Sequence, residues 1–199
     1  KESSDNPFST FNVNIQGTIN ILEGCIKHGI DRFVYASTMY VYSDHGSFYK
    51  ASKQASEIII ESYAKERPIS YTFLRYGSLY GPRSQNWNGL NKIVSTILKK
   101  KKINYKGTGN EIREYIHVKD ASELSVRILE ERYKDRAVIL TGHQEITSSN
   151  LMEMVKEISG INFETNFDKD NIDPSHYSNT PYKYTPKRAT KIIPDEFID

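Results

Sequence analysis

Tyr49 and Lys53 stand four residues apart, so on a helix they share one face, one turn from each other. That pairing suggests proton chemistry. A phenol ordinarily ionises near pH ~10, so one that accepts a proton at neutral pH needs a neighbouring positive charge to stabilise the phenolate. Lys53 is spaced to supply it. Ser37 and Thr38 come shortly before, and the Thr38 hydroxyl is suited to orient a substrate hydroxyl beside the phenol. Tyr-x-x-x-Lys by itself also decorates ordinary exposed helix faces, and this chain has 14 tyrosines. The surrounding elements therefore decide what the pair means.

Those elements alternate. Asn6-Pro7 reads as an N-cap followed by proline at the first helical position. Phe8, Phe11, Ile15, Ile19, Leu22 and Ile26 then recur at three- and four-residue steps, predicting one helix that Gly29 stops. Arg32-Phe-Val-Tyr-Ala-Ser37 is a short apolar run that predicts a strand buried on both faces. A helix over 48–66 follows, closed by Pro68, and Ser70-Tyr-Thr-Phe-Leu-Arg-Tyr76 predicts a second strand. The alternation points to an α/β layer with a parallel sheet, in which ligands bind at the strands' carboxyl ends. Thr38 stands at such an end.

Beyond Pro82 the spacing predicts a helix over 90–102, ending in Lys99-Lys-Lys-Lys102, and a brief strand over 115–118. Asp120-Ala-Ser-Glu123 resembles a capping box for a helix to about Tyr133. A strand over 137–141 and a helix from Thr147 or Ser148 through Ile158 follow. From Asp168 the chain has no helical period and no glycine, but it holds Pro174, Pro181, Pro186 and Pro194; an extended tail is expected over 168–199.

Composition narrows the classes. The 199 residues carry 27 Lys+Arg against 25 Asp+Glu, a net charge of +2, too mild for a nucleic-acid footprint. The lysine run fits a solvated helix end, where cations suit the dipole. No apolar stretch is long enough for a membrane span. The single cysteine, Cys25, excludes an internal disulfide and reads as a packing residue. His28, His45, His117, His143 and His176 lack metal-ligand spacing, so no metal is expected; His117 reads as a core or interface residue.

Several ordered motifs carry a family likeness. They are Asn14-Ile-Gln-Gly-Thr-Ile-Asn20, Arg32 through Thr38, Val41-Tyr42, Tyr49-Lys-Ala-Ser-Lys53, Leu74-Arg-Tyr76 through Tyr80-Gly-Pro82, and Arg113-Glu-Tyr-Ile-His-Val-Lys-Asp120. Together they resemble the extended short-chain dehydrogenase/reductases, specifically the NAD-dependent epimerase/dehydratase family that includes UDP-galactose 4-epimerase, over roughly residues 7–160. The resemblance implies a partial Rossmann-like, doubly wound parallel sheet with a smaller C-terminal α/β substrate domain. Residues 1–82 would form the second half of the NAD-binding domain, and 83–167 mainly the substrate domain with interleaved Rossmann elements.

It also implies roles. Tyr49 would be the catalytic acid/base, Lys53 its partner on the nicotinamide ribose, and Thr38 the hydroxyl that orients the substrate. Asn14, Ala36, Ser37 and Tyr76 would join Tyr49 and Lys53 around NAD. Ser78, Asn88 and Arg113 would join Thr38 on the nucleotide-sugar, Arg113 gripping the diphosphate. The expected partners are a nucleotide-sugar and a second copy, packed through helices 8–27 and 48–66 into a cytoplasmic homodimer.

Departures matter as much. The family's Gly-x-x-Gly-x-x-Gly phosphate loop is absent, and Gly107-Thr-Gly109 lies in the wrong half. A longer source chain carrying that loop upstream is expected. Met39 and Tyr40 occupy the positions where dehydratases resemble Asp-Glu, which disfavours dehydration and favours epimerisation or another oxidoreduction. Asp120 is expected to act as a helix cap. The competing expectations are a non-catalytic family member that binds nucleotide-sugar or protein partners, and a dehydratase or reductase.

Overall fold

A computed structural model describes residues 5–43 and 46–171. The expected α/β alternation is present. Strand β1 (Arg32–Thr38) leads through helix α3 (Ser47–Glu66) to a parallel neighbour, β2 (Ser70–Tyr76), and β6 (Arg136–Leu140) pairs with the far edge of β2. Thr38 faces Tyr76 and Tyr76 faces Leu140, so the carboxyl ends of these strands lie level. The outer edge of β1 pairs with no strand among the described residues.

Helices cover both faces, as a doubly wound sheet requires. On one face α3 and α2 (Gly17–Lys27) enclose Leu22, Tyr35, Ile60, Ile69 and Phe73, with Cys25 packed against them. On the other, α5 (Val118–Arg127) joins the sheet through Leu74, Ile116, Ala121, Ile128 and Leu140. Arg32 ties that face down by donating to the carbonyls of Leu129 and Glu130, just beyond α5, and by pairing with Glu131.

A third core holds the C-terminal part. Ile97 of α4 (Gly89–Lys100) and Met152 of α6 (Ser148–Ser159) pack on Ile103 and Tyr105 of β4 (Lys102–Lys106) and on Phe163. Strand β8 (Glu164–Asp168) pairs with β4 in parallel. Between the two bodies, β3 (Ser78–Tyr80) runs parallel to β5 (Ile112–His117), which meets β7 (Glu145–Thr147) antiparallel. A Cβ on Gly142 would lie 2.0 Å from the Tyr115 carbonyl oxygen, so only glycine lets the chain leaving β6 cross β5 that closely.

Several expected boundaries move. The first helix is not continuous: α1 (Pro7–Phe11) and α2 are joined by a π-helical turn, Asn12–Gln16. The helix expected from Asp120 begins at Val118, and its cap is His117, whose Nδ1 accepts from the Lys119 N–H at 3.3 Å. Asp120 instead places its carboxylate in the first turn, where it suits the dipole. That helix also ends at Arg127, with a separate 3₁₀ turn at Glu131–Tyr133.

The lysine run splits. Lys99 and Lys100 close α4, Lys101 turns left-handed, and Lys102 opens β4 in an ion pair with Glu164. The expected tail over 168–199 is shortened at its start because Asp168 ends β8; from 172 onward it lies outside the described residues.

Candidate active site

The carboxyl end of β1 runs straight into a 3₁₀ turn, Met39–Tyr42, capped by Thr38. Thr38 Oγ1 accepts the Tyr40 N–H at 3.3 Å, which leaves its proton for the Tyr49 phenol one element away. Helix α3 holds the turn against itself: Lys50 Nζ donates to the Ser43 carbonyl at 2.7 Å and Gln54 Nε2 to the Val41 carbonyl at 2.8 Å. Gly46, with φ 102°, precedes α3, and a Cβ there would stand 3.0 Å from the Tyr40 ring. Glycine thus serves both the backbone and the close packing.

Tyr49 is held as the neutral phenol. Burial raises its pKa most, the Thr38 hydrogen bond lowers it, and the neighbouring Tyr35 and Tyr40 phenols raise it further. The phenolate expected at neutral pH is therefore not the state of this chain on its own. The physical reason is the location of Lys53. Its Nζ donates to the Ala36 carbonyl at 2.9 Å and stands 4.6 Å from the Tyr35 ring centre, against 5.9 Å from the Tyr49 ring centre. One shared ammonium at that range does not outweigh desolvation.

Beneath this pair lies a charged cluster. Glu57, one turn beyond Lys53 on α3, is buried and takes Arg75 of β2 bidentately, at 3.0 Å from Nε and 2.6 Å from Nη2. Ser37 Oγ donates to the same carboxylate at 2.6 Å. Tyr42 completes the cluster by accepting from Arg75 Nη1, with its ring against the guanidinium. Burial works against the Arg75 charge, but Glu57 and Tyr42 more than restore it, so its pKa is raised. Glu57 and Arg75 were not among the sequence candidates. The signal was there: 49, 53 and 57 continue one helical stripe, and Arg75 sits inside a quoted motif.

The other candidates divide. Ala36 is exposed although it lies within β1, which leaves open space at the strand's end. Arg113 on β5 reaches the site, its Nη1 3.4 Å from the Tyr40 hydroxyl. Met39 is buried at 2% exposure, so of the two positions that differ from dehydratases only Tyr40 faces this chemistry. Asn14 lies in the π turn and donates to Ser52 Oγ at 2.9 Å, while its carbonyl accepts from Thr18 and Ser56; it joins helix to helix behind the site.

Tyr76 turns the other way, its hydroxyl 2.6 Å from Ser125 on α5. Ser78 opens β3 opposite Tyr115. Asn88 spends both ends of its amide locally, capping α4 through the Asn91 N–H and donating to the Leu79 carbonyl. Neither Tyr76 nor Asn88 joins the Tyr49 group in this structure. Among the described residues, no His/Cys/Asp/Glu cluster is suited to a metal, and no helix is long and apolar enough to cross a membrane.

A parallel sheet covered by helices on both faces, with Thr38, Tyr49 and Lys53 at its carboxyl end, defines a doubly wound α/β protein. The chain belongs to the NAD dependent epimerase/dehydratase family, whose model matches residues 1–140. It is 29% identical over 187 residues to a putative UDP-glucose 4-epimerase of Methanocaldococcus jannaschii, covering 85% of this chain and 60% of that protein. A dTDP-glucose 4,6-dehydratase of Streptomyces antibioticus is 26% identical, covering 81% of this chain and 52% of that protein.

Among solved structures, UDP-glucose 4-epimerase of Thermotoga maritima with UDP-glucose superposes with a TM-score of 0.77 at 24% identity, covering 84% of this chain and 60% of that one. UDP-N-acetylglucosamine 4-epimerase of Methanobrevibacter ruminantium gives 0.78 at 19% identity, covering 84% and 59%. The chain thus spans about 60% of the length of these epimerases.

Proposed function

We propose that this chain carries the catalytic and sugar-nucleotide part of an NAD-dependent epimerase or related oxidoreductase acting on a nucleotide-sugar in the cytoplasm. The observation that carries the reading is the Thr38–Tyr49 hydrogen bond at a strand's carboxyl end, with Lys53 one turn along the same helix. Tyr49 takes the proton from a sugar hydroxyl, and Thr38, its Oγ1 fixed by the Tyr40 N–H, orients that hydroxyl. Tyr49 must first release its own proton to solvent, and Lys53, its charge moved toward the phenol, stabilises the phenolate that then accepts the sugar proton. Arg113 binds the diphosphate as a guanidinium fork.

The residues present fit one end of a nicotinamide dinucleotide. Exposed Ala36 leaves room beside the strand, and Lys53 is placed to hold the ribose. When bound, the cofactor supplies the hydride acceptor and, in its oxidised form, a second positive charge near the phenol. No Gly-x-x-Gly-x-x-Gly occurs in the sequence to cradle the pyrophosphate, so this chain's own residues account for the nicotinamide end alone.

Elimination of water needs a second proton-transferring pair near the sugar. Buried Met39 has no proton to give, so the pair that elimination needs is incomplete, which favours epimerisation over dehydration.

Calorimetric titration of this chain with UDP-glucose and, separately, NAD⁺ tests the reading. UDP-glucose is expected to bind, and Arg113→Ala to weaken it at least about tenfold, as loss of a charge-assisted diphosphate contact implies. No heat from UDP-glucose, or an unaffected Arg113→Ala, overturns the substrate class. UDP-glucose binding without NAD⁺ binding favours a sugar-nucleotide-binding module, the reading that the missing glycine loop supports.

A further inference from the structure

The Tyr49–Lys53 pair has an unusual dependence on the residue between its two anchors. Lys53 is held by the carbonyl of Ala36 and Tyr49 by the hydroxyl of Thr38, so both contacts end on residues adjacent to Ser37. Ser37 itself is 4% exposed, and its hydroxyl is spent on Glu57. Glu57 belongs to the same helix as Tyr49 and Lys53, and Arg75 is the register partner of Ser37 on the neighbouring strand. One carboxylate therefore joins α3, β1 and β2 at a single level of the sheet.

We infer that Glu57, clamped by Arg75 and Tyr42, is a positioning residue: by holding Ser37 it sets the Thr38–Tyr49 and Lys53–Ala36 contacts together. The inference rests on the acid/base reading of Tyr49 given above. A buried ion pair is a costly way to hold a helix on a sheet, because desolvation of each charge takes back much of the attraction, and apolar packing of equal volume does as well or better. What a charged cluster adds is registry. Apolar contacts tolerate sliding, whereas a bidentate guanidinium–carboxylate pair with a third donor admits one arrangement.

The apolar core beside it, Ile60 and Phe73, already fastens α3 to β2. The cluster fixes the remaining freedom, the slide and roll of α3 against the end of β1. Displacements of about 1 Å at a reacting centre carry large rate penalties, so that freedom is the one a proton-transfer site has to remove.

The test reads Tyr49 directly. In the native chain Tyr49 is faced by Tyr35 from β1, Tyr40 from the 3₁₀ turn and Lys53 from its own helix, with Thr38 as hydrogen-bond donor. Ser37→Ala removes one hydroxyl, leaves the Glu57–Arg75 pair in place and touches none of those groups. The ionisation midpoint of Tyr49 is followed by ¹³Cζ-tyrosine NMR, with its signal assigned by its disappearance in Tyr49→Phe.

With Ser37→Ala the Tyr49 midpoint is expected to rise by about half a pH unit or more as the Thr38 donation loosens, while Tyr63 and Tyr71 stay unchanged. Ser37→Thr, which restores the hydroxyl, is expected to return it. A Tyr49 midpoint that does not move, or one that moves together with Tyr63 and Tyr71, overturns the inference. Glu57→Gln is expected to shift the midpoint the same way, but only Ser37→Ala keeps the buried arginine paired. Turnover of Tyr49→Phe in a complete enzyme judges the acid/base reading separately, because the midpoint reports geometry whether or not Tyr49 transfers protons.

Discussion

Tyr49 illustrates how a residue type acquires its chemistry from position. The tyrosine–lysine spacing announces a proton acceptor, yet burial dominates and holds the phenol neutral. The raised pKa has a thermodynamic consequence whose sign is fixed. Folding favours the protonated phenol, so its contribution is fully present below the unfolded value of 10.0 and is lost as pH climbs through the higher folded value. Tyr49→Phe cannot ionise and is expected to lose less stability than the native chain between about pH 9 and 11. Thermal melts of both proteins across that window check it, since Tyr63 and Tyr71, also raised, contribute equally to each. Parallel decline of the two curves would show that burial does not disfavour the Tyr49 anion.

At the scale of elements, the α/β order was legible because each element announces itself locally: apolar steps of three and four for the helices, a short apolar run for β1 and a β-branched and aromatic run between Pro68 and Gly77 for β2. The short strands β5 and β6 were also expected, but β3, β4, β7 and β8 were not. Lys102–Lys106 carries its two buried residues, Ile103 and Tyr105, between exposed polar ones, and its partner Glu164–Asp168 lies far off in sequence. Each strand is five residues long, so its period-two alternation is too short to stand out from the neighbouring loops. The π turn escaped for a related reason, since an apolar period accommodates one extra residue without losing its face.

In the site, Thr38, Tyr49 and Lys53 were visible as spacing within short segments, whereas the Glu57–Arg75 cluster depends on β1–β2 register. Asn88 shows the reverse case: a residue expected on the substrate side has both ends of its amide committed to α4 and β3. Asn88→Ala is accordingly expected to cost about 1 kcal/mol of stability, the usual worth of an N-cap. Denaturant melts measure that. UDP-glucose affinity is expected to stay unchanged, and a large affinity loss with unaltered stability would return Asn88 to the sugar side.

Among the described residues, one face of the molecule has no covering layer. Helices α2 and α3 bury one stripe each in the first core, and the outward positions of the α1–α2 segment carry Phe8, Val13 and Ile21 while those of α3 carry Ile58, all more than half exposed. Around Ile58 the outward positions of α3 are small: Ala51, Ala55 and Ser62. Small residues flanking large apolar ones let a second pair of helices approach closely, the geometry of four-helix packing. A lone exposed isoleucine needs no explanation, but an apolar stripe shared by two adjacent helices does. The occupant we propose is a second copy of the chain, because a two-fold axis would set each exposed stripe on its own equivalent without any further partner. A stable interface of this kind buries about 800 Å² per partner, which two helical faces of this length can supply. Sedimentation velocity at micromolar concentration is expected to give a dimer, and Ile58→Asp with Val13→Asp a folded monomer, since neither side chain supports the core. A native chain that sediments as a monomer over the whole range overturns the second-copy assignment.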